Sequence, residues 1–408
     1  MTTPRPCVAE AVRRFSHDVS LETRQRVVLA RIRDCRTADL GGHIWRCDSC
    51  QHERIAYNSC RDRHCPGCQA TQSRGWLEDR LDEVLPVPHF HVVFTLPGEL
   101  RPIALGNQRA IYDLLFAASS KTLATIGRDP KHLGAKLGFF GILHTWGQSL
   151  AYHPHVHYVV PGGGISLDDS HWIPSRPRFL VSQRVLAVLF RNKFLDGLRQ
   201  LVAKGDVDLP IDLRAPGRFG KLLRALGRKK WVVDLREPFS SPDRVLKYLA
   251  RYTHRVAIAN GRILSVDDAG VRFNARDYRT GKLNVIHLTG AEFVRRFALH
   301  VLPKRFVRLR YFGFLAHRNR KKNIDRCRTL IAARGHALKT SSPPTTEPAR
   351  EESDPSTDAA AAVRDSPSCP RCCGPMISIA EIERPFRPSA ELHRIRAPPS
   401  SFLRGARR

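Results

Sequence analysis

The central part of the chain contains apolar runs of two kinds, which predict two kinds of element. Continuous or alternating apolar residues at 89–96, 137–146 and 155–160 predict three β-strands, the last ending sharply at Pro161 before three glycines. The segments 110–126 and 185–203 have helical patterns. Because strands and helices are interleaved irregularly, the pattern predicts an α+β domain with a mostly antiparallel sheet.

Further elements are predicted on both sides of this region. Ser241, Pro242 and Asp243 provide a capping hydroxyl and a first-turn proline for a helix that continues to residue 254. The other predicted helices are at 21–32, 69–84 and 291–302. The other predicted strands are at 231–235, 262–266, 271–274 and 283–287.

The composition changes towards the C-terminus. After residue 335, Ser, Pro, Thr, Ala and Glu predominate up to Pro367, which indicates a disordered linker. We therefore predict a cysteine-containing N-terminal domain over 1–80 and a larger α+β domain over 85–335. A largely disordered tail over 336–408 follows, with one CxxC half-site.

Basic residues greatly outnumber acidic ones. The 408 residues include 68 Lys and Arg against 38 Asp and Glu, which gives a formal net charge of +30. A charge of this size favours a polyanionic partner, usually nucleic acid, although a ribosome-associated or merely basic protein would share it. Since 42% of the residues are hydrophobic, the chain can also bury a core.

Neither a membrane span nor a secretory signal is predicted. No apolar run reaches the ~18 residues that cross a bilayer, and the N-terminus lacks the apolar core of a signal peptide. We therefore expect a cytoplasmic protein that does not bind membranes. In that compartment the 11 cysteines favour metal binding over disulfides.

Two CxxC pairs lie in the N-terminal domain. Cys47 and Cys50 form the first pair, and Cys65 and Cys68 form the second after 14 intervening residues. Two such turns can complete a tetrahedral Zn²⁺ site, so these four cysteines are the predicted zinc ligands. Chance clustering and a redox role are the alternatives. Other nearby candidate ligands are Cys60, His52 and His64.

The arginines around these cysteines suggest a contact surface. Arg54, Arg61 and Arg63 flank the two pairs. A zinc domain surrounded by arginines can contact DNA phosphates, and we predict Arg61 and Arg63 as DNA-binding residues. A protein-contacting role for the same domain stays open.

The C-terminal tail carries three more cysteines. Cys369, Cys372 and Cys373 offer only half of a metal site. They could join Cys327 or a second chain, but the composition around them favours thiols without a metal on a disordered segment.

His155 and His157 form the candidate metal-binding pair. Residues i and i+2 of a strand point to the same face, so their imidazoles lie side by side with Val156 behind them. Two convergent imidazoles can hold a divalent metal and leave positions for substrate oxygens. His89 and His91 share the spacing, and we expect them to be core or edge-strand residues. The glycines at 162–164 distinguish the second pair, since glycine allows a ligand backbone to approach closely.

Tyr248 and Tyr252 are four residues apart on a predicted helix, so their hydroxyls face the same side. Lys247, Arg251 and Arg255 add positive charge around them and are predicted DNA contacts. Tyrosines at this spacing are more often packing residues. In a strongly basic protein with a histidine pair, they instead favour a nucleophilic role once a cation or base lowers the proton affinity of the hydroxyl.

Four segments together carry a family resemblance. They are CDSCQHERIAYNSCRDRHCPGC, HTWGQSLAYHPHVHYVVPGGG, YLARYTHRVAIAN and FVRLRYFGFLA. The first resembles the zinc-binding domain of insertion sequence 91 family transposases, and the other three resemble the catalytic domain of that family. The resemblance covers about residues 10–335 and implies an HUH endonuclease fold, in which helices flank a central antiparallel sheet.

The resemblance also implies a function and residue roles. It implies a bacterial, nucleoid-associated transposase that nicks and rejoins single-stranded DNA at the ends of a mobile element by a rolling-circle route. Tyr248 and Tyr252 match the two-tyrosine motif and would form a 5′-phosphotyrosine. His155 and His157 match the pair that binds Mg²⁺ or Mn²⁺. Gln148 is the first candidate for a third ligand, and His144 is the second.

Other functions share parts of these motifs. A plasmid replication initiator or a conjugative relaxase would have the same HUH chemistry on a different DNA substrate. A non-catalytic DNA-binding protein would use the zinc domain alone and would not need the tyrosines. The N-terminal cysteine pairs favour the transposase.

Overall fold

The computed structural model describes residues 5–69, 83–239, 257–277, 280–316, 319–333 and 367–385. The α-helices are α1 (Val8–Phe15), α2 (Thr23–Arg33), α3 (Arg101–Gly106), α4 (Gln108–Arg128), α5 (Gln183–Ala203), α6 (Ile211–Arg214), α7 (Arg218–Arg228), α8 (Gly290–Ala298) and α9 (Arg320–Ala333). The strands are β1 (Gly42–Cys47), β2 (Glu53–Tyr57), β3 (His89–Thr95), β4 (Ala135–Lys136), β5 (Gly138–Trp146), β6 (Tyr152–Pro161), β7 (Gly163–Ser166), β8 (Trp172–Pro174), β9 (Val233–Phe239), β10 (Ile263–Asp267), β11 (Gly270–Arg276), β12 (Leu283–Leu288), β13 (Leu309–Gly313) and β14 (Met376–Ile382).

The chain divides into two compact units. The first consists of Met1–Arg33 and Arg61–Asp358, and the second of Asp34–Cys60 and Ala359–Arg408. These units follow tertiary contacts rather than chain order. The predicted N-terminal segment 1–80 therefore contributes to both units, and the second unit combines part of it with part of the C-terminal tail.

Five antiparallel strands form the central sheet of the first unit, in the order β13-β5-β6-β3-β9. β3 pairs with β6 along its whole length, from His89 opposite Pro161 to Thr95 opposite His155. β5 pairs with the other edge of β6, which places His144 opposite His155. The predicted α+β class with a central antiparallel sheet is confirmed, and β3 is an interior strand.

One face of this sheet carries the apolar core. Phe94 of β3 meets the rings of Tyr158 and Phe190 edge to face, with centroid distances of 5.7 and 5.0 Å. All three side chains are buried, and each contributes about 1.5–3 kcal/mol relative to an exposed side chain. A Cβ on Gly141 would lie 2.4 Å from the Tyr158 ring, so the close packing of β5 against β6 requires glycine there.

The continuous apolar runs predicted β3, β5, α4 and α5 to within about two residues. The strand predicted at 155–160 is the longer Tyr152–Pro161, and the one predicted at 231–235 is Val233–Phe239. The strand predicted at 89–96 is His89–Thr95, and the helix predicted at 110–126 is Gln108–Arg128. The helix predicted at 291–302 is the shorter Gly290–Ala298, and the Thr289 side chain accepts a hydrogen bond from the amide of Glu292 at its start. Most of the predicted helix at 69–84 and the whole of the predicted helix at 241–254 lie outside the described residues.

Two smaller sheets complete the described part of the first unit. β10, β11 and β12 form an antiparallel meander, and β4, β7 and β8 form a second three-stranded sheet. Phe273 of the meander packs against Phe293 of α8 with ring centroids 5.9 Å apart, and both side chains are buried.

The second unit contains a three-stranded antiparallel sheet in the order β14-β1-β2. β1 and β2 form a hairpin in which Gly42 lies opposite Tyr57. β14, from the C-terminal tail, pairs with the other edge of β1, and Met376 lies opposite Cys47. Residues 376–382 of the tail, where the sequence predicted disorder, are therefore a strand.

Candidate active site and metal centres

The histidines of β6 lie on the face of the central sheet opposite the apolar core. His153, His155 and His157 are half-buried and alternate with the buried Pro154, Val156 and Tyr158. The predicted arrangement, with two imidazoles on one face and Val156 behind them, is confirmed. It follows from the period of two along a strand whose other face is packed.

A third histidine converges on this pair. His144 lies opposite His155 on β5, and the ligand nitrogens of His144, His155 and His157 all lie within 4.8 Å of one another. The ring centroids of His155 and His157 are 4.8 Å apart, and those of His144 and His157 are 4.5 Å apart. Three imidazoles at these distances can ligate one divalent cation.

Hydrogen bonds orient two of these rings. Nδ1 of His155 donates to the carbonyl oxygen of His153 at 2.6 Å, which leaves Nε2 as the nitrogen with a lone pair. Nε2 of His91 lies 2.9 Å from Nδ1 of His157, and the two rings are nearly parallel. Metal-binding histidines commonly hold their second nitrogen in this way, which fixes both tautomer and ring direction.

Burial favours the neutral form of three histidines in this region. It lowers the pKa of His155 to about 4 and, with the nearby charge of Arg236, the pKa of His91 to about 3. The pKa of His153 is lowered for the same reason, burial. At neutral pH the His155 ring is therefore in the deprotonated form that a metal requires.

His91 is a site residue that the sequence did not reveal. The prediction that His89 and His91 are core residues is confirmed, because they are 5% and 3% exposed. The pairing of β3 with β6 additionally brings His91 against His157. The repeated two-residue spacing of the histidines was the available signal, but the sequence does not show which strands are neighbours.

The candidates for a third ligand differ in what the structure shows. His144, the second candidate, joins the histidine pair. The carbonyl oxygen of Gln148, the first candidate, accepts a hydrogen bond from Nη2 of Arg262 at 2.6 Å. A ligand role for the Gln148 side chain stays a prediction.

The glycines after β6 serve the packing of the chain itself. A Cβ on Gly163 would lie 2.6 Å from the carbonyl oxygen of Ile173, and one on Gly164 would lie 2.5 Å from the carbonyl oxygen of Lys136. These glycines let β4 and β8 approach β7. That they also let a ligand approach stays a prediction.

The cysteines of the second unit come from both ends of the chain. The sulfurs of Cys47, Cys50, Cys369 and Cys372 lie within 4.8 Å of one another. The expectation of C-terminal thiols without a site on a disordered segment is therefore wrong for Cys369 and Cys372. Cys65 and Cys68, which the sequence grouped with Cys47 and Cys50, belong to the first unit, where the amide of Cys68 donates to the Cys65 carbonyl at 3.2 Å.

Known proteins resemble this chain over most of its length. A family model described as a putative transposase matches residues 138–323, and one described as a transposase zinc-binding domain matches residues 7–96. The chain is 48% identical over 340 residues to the putative transposase y4qJ of Sinorhizobium fredii (strain NBRC 101917 / NGR234). The match covers 81% of this chain and 85% of y4qJ. The chain is also 29% identical over 305 residues to the transposase for insertion sequence element IS801 of Pseudomonas savastanoi pv. phaseolicola. That match covers 74% of this chain and 71% of the IS801 transposase. No solved structure matches the chain.

The chain belongs to the insertion sequence 91 family of transposases. DNA is therefore the partner of this transposase, in agreement with its basic charge. The putative transposase match spans β5 and β6, and so includes His144, His155 and His157. The zinc-binding match and the cluster of Cys47, Cys50, Cys369 and Cys372 support Zn²⁺ as a cofactor. In the described part of the transposase, no helix is long and apolar enough to cross a membrane.

The predicted nucleophiles and their basic neighbours belong to the segment between β9 and β10. Tyr248, Tyr252, Lys247, Arg251 and Arg255 all lie outside the described residues. Their roles stay predictions from the sequence.

The two predicted DNA-binding arginines of the N-terminal segment have different environments. Arg61 is exposed. The guanidinium of Arg63 is half-buried and donates to the carbonyl oxygens of Phe306 and Pro303. The described contacts of Arg63 thus serve the fold of the first unit, and Arg61 is the more exposed of the two.

Tyr112, Tyr152 and Tyr158 are buried in the apolar core on the other face of the sheet from the histidines. The hydroxyls of Tyr112 and Tyr152 are 2.7 Å apart, and that of Tyr158 lies 2.7 Å from Oγ of Ser119. Burial raises the pKa of all three phenols above the usual value of 10. A nucleophile must reach the substrate and lose its proton, so these tyrosines are unsuited to that role.

Proposed function

We propose that this transposase nicks and rejoins single-stranded DNA at the ends of its element through a tyrosine, in a rolling-circle route. The observation that carries the proposal is the convergence of His144, His155 and His157 on the face of the central sheet opposite the apolar core. Imidazoles oriented by hydrogen bonds on a packed sheet suit a metal-assisted phosphoryl transfer.

The histidines would hold a divalent cation. His144, His155 and His157 supply three nitrogen donors. The hydrogen bonds of His155 to the His153 carbonyl and of His157 to His91 fix the orientation of two of these rings. A bound Mg²⁺ or Mn²⁺ would polarise the scissile phosphate and stabilise charge on the leaving oxygen. Imidazole ligands favour the softer Mn²⁺ over Mg²⁺, so we expect Mn²⁺ to support cleavage at lower concentration.

Tyr248 or Tyr252 would supply the nucleophile. Its oxygen forms a bond to the scissile phosphorus, the bond from phosphorus to the 3′-oxygen breaks, and the phenolic proton passes to a base or to solvent. The released 3′-oxygen takes up a proton, which leaves a 5′-phosphotyrosine and a 3′-hydroxyl. The covalent bond conserves the phosphodiester energy, so strand rejoining needs no ATP. The putative transposase match includes both residues, and the buried Tyr112, Tyr152 and Tyr158 do not compete with them.

A covalent-adduct assay tests the mechanism. Full-length protein is incubated with Mn²⁺ and a labelled single strand that carries an end of the element, and adducts are separated on a denaturing gel. We expect an adduct with the wild-type protein and with the control variant Tyr152→Phe. The double variant Tyr248→Phe, Tyr252→Phe should form none. An adduct that persists in the double variant would refute the assignment of the nucleophile.

The same assay separates catalysis from binding. His155→Ala should abolish the adduct and retain most of the affinity for the strand, measured by gel shift. If a correct end sequence is bound by the wild-type protein but never yields an adduct, the transposase does not act through this tyrosine chemistry.

A further inference from the structure

The second unit brings two CxxC turns together from distant parts of the chain. Cys47 ends β1 and Cys50 follows in the turn to β2, whereas Cys369 and Cys372 precede β14. Antiparallel pairing of β14 with β1 places both turns at the same end of the sheet. The amide of Asp48 donates to the carbonyl of Pro375 at 3.1 Å, which ties the two turns directly.

The sulfur positions fit a tetrahedron. Sγ of Cys47 lies 3.4 Å from Sγ of Cys372, and Sγ of Cys50 lies 3.6 Å from Sγ of Cys369. Four thiolates around one Zn²⁺, with zinc–sulfur bonds of about 2.3 Å, have sulfurs about 3.8 Å apart. A disulfide requires about 2.05 Å. The four sulfurs therefore lie near the distances of a tetrathiolate site and far from those of two disulfides.

Both turns present backbone amides to their first sulfur. The amide of Cys50 donates to Sγ of Cys47, and the amide of Arg371 donates to Sγ of Cys369, each at 3.4 Å. The amides of Gln51 and Cys373 also donate to the carbonyls of Cys47 and Cys369, at 3.0 and 2.9 Å. The two turns are thus built alike, and amide donors stabilise the thiolate form that a metal requires.

The second unit has little else to hold it together. In its described part, the buried hydrophobic side chains are Cys35, Cys47, Cys369 and Met376. The last three form one cluster, with Trp45 packed against it. Small domains with so few buried apolar side chains usually need a metal or a disulfide. Here the buried residues include two of the four candidate ligands.

We propose that Cys47, Cys50, Cys369 and Cys372 bind one structural Zn²⁺, so that the C-terminal CxxC turn completes a zinc site begun in the N-terminal segment. The matched zinc-binding domain ends at residue 96 and contains only half of this ligand set. The site makes the C-terminal segment a structural part of the second unit. It is independent of the tyrosine mechanism proposed above.

Thiol accessibility provides a test on the wild-type protein. Cys50, Cys372 and Cys373 are all exposed, so geometry alone predicts that all three react with an alkylating reagent. Full-length protein purified with zinc is treated with iodoacetamide under reducing conditions, and the modified cysteines are mapped by mass spectrometry. We expect Cys373 to be modified and Cys372 to be protected, together with Cys50, until a zinc chelator is added. If Cys372 reacts as fast as Cys373 before chelation, the proposal is wrong.

Zinc content provides the second test. The double variant Cys369→Ser, Cys372→Ser should lose about one zinc per chain relative to the wild type, measured by elemental analysis. The neighbouring variant Cys373→Ser is the matched control and should lose none. Cys372→His, which keeps a zinc-binding side chain, should retain the metal and distinguish ligand loss from misfolding. Unchanged zinc content in the double variant, or an equal loss in Cys373→Ser, would overturn the assignment.

Discussion

The histidine site and the four-cysteine cluster are both assembled by antiparallel strand pairing, yet they depend on different sources of stability. The histidines lie on interior strands of a five-stranded sheet whose opposite face is packed with aromatic side chains. The cysteines lie at one end of a three-stranded sheet, and two of them belong to the small buried cluster of its described part. We therefore expect the histidines to be positioned before any ion binds, and the fold of the second unit to depend on the proposed zinc.

Zinc removal should produce the largest contrast between these regions. Structural zinc sites contribute roughly 10–16 kcal/mol in small zinc domains. We expect a chelator to abolish hydrogen-exchange protection of β1 and β14, while β5 and β6 keep theirs because the apolar core is unaffected. Hydrogen exchange followed by mass spectrometry measures both at once. Equal loss of protection in the two sheets would show that the two regions do not differ in their dependence on zinc.

Replacement of a candidate histidine ligand should impair cleavage and leave the stability of the first unit nearly unchanged. His157→Ala removes one of the three candidate metal donors, and we expect cleavage to fall by about 10²–10³-fold, as several kcal/mol of transition-state stabilisation are lost. The melting temperature should change little. His153→Ala is the control: its side chain is outside the three-histidine group, and it keeps the carbonyl that accepts from His155. A large drop in stability for His157→Ala would make the histidine structural.

Replacement of His91 should reduce cleavage less than replacement of His157, by weakening metal binding. His91→Phe keeps a buried ring but removes the partner of Nδ1 of His157, so we expect about 10–100-fold weaker metal affinity. The concentration of Mn²⁺ that gives half-maximal cleavage should rise by that factor. His89→Phe, on the same face of the same strand, should leave this concentration unchanged. If both variants raise it equally, the contact between His91 and His157 has no special role.

The smallest effect is expected in the core of the first unit. Tyr152→Phe removes the hydrogen bond to Tyr112 and leaves one buried hydroxyl without that partner. The cost should be about 1 kcal/mol of unfolding free energy, measured by denaturant unfolding. Adduct formation should be retained. Loss of the adduct would give Tyr152 a part in catalysis that its burial argues against.

The sequence was sufficient to predict an element wherever that element's own hydrophobic pattern identified it. Long apolar runs predicted β3, β5, α4 and α5 within about two residues, because a buried strand or helix imprints its own period on the chain. The same period placed His155 and His157 on one face. Short strands with few buried residues, such as β2 with its mostly exposed pattern and β13 at the sheet edge, left no such imprint and were not predicted.

The tertiary structure decided which of these elements are neighbours. His91 had the same spacing as the predicted pair, but only the pairing of β3 with β6 brings it to His157. Cys47 and Cys50 were grouped by proximity in sequence with Cys65 and Cys68, whereas strand β14 brings them Cys369 and Cys372 from 319 or more residues away. Local periodicity reports which face of an element is buried. It contains no information on the partner of that face, because strand pairing between distant segments is a property of the whole fold.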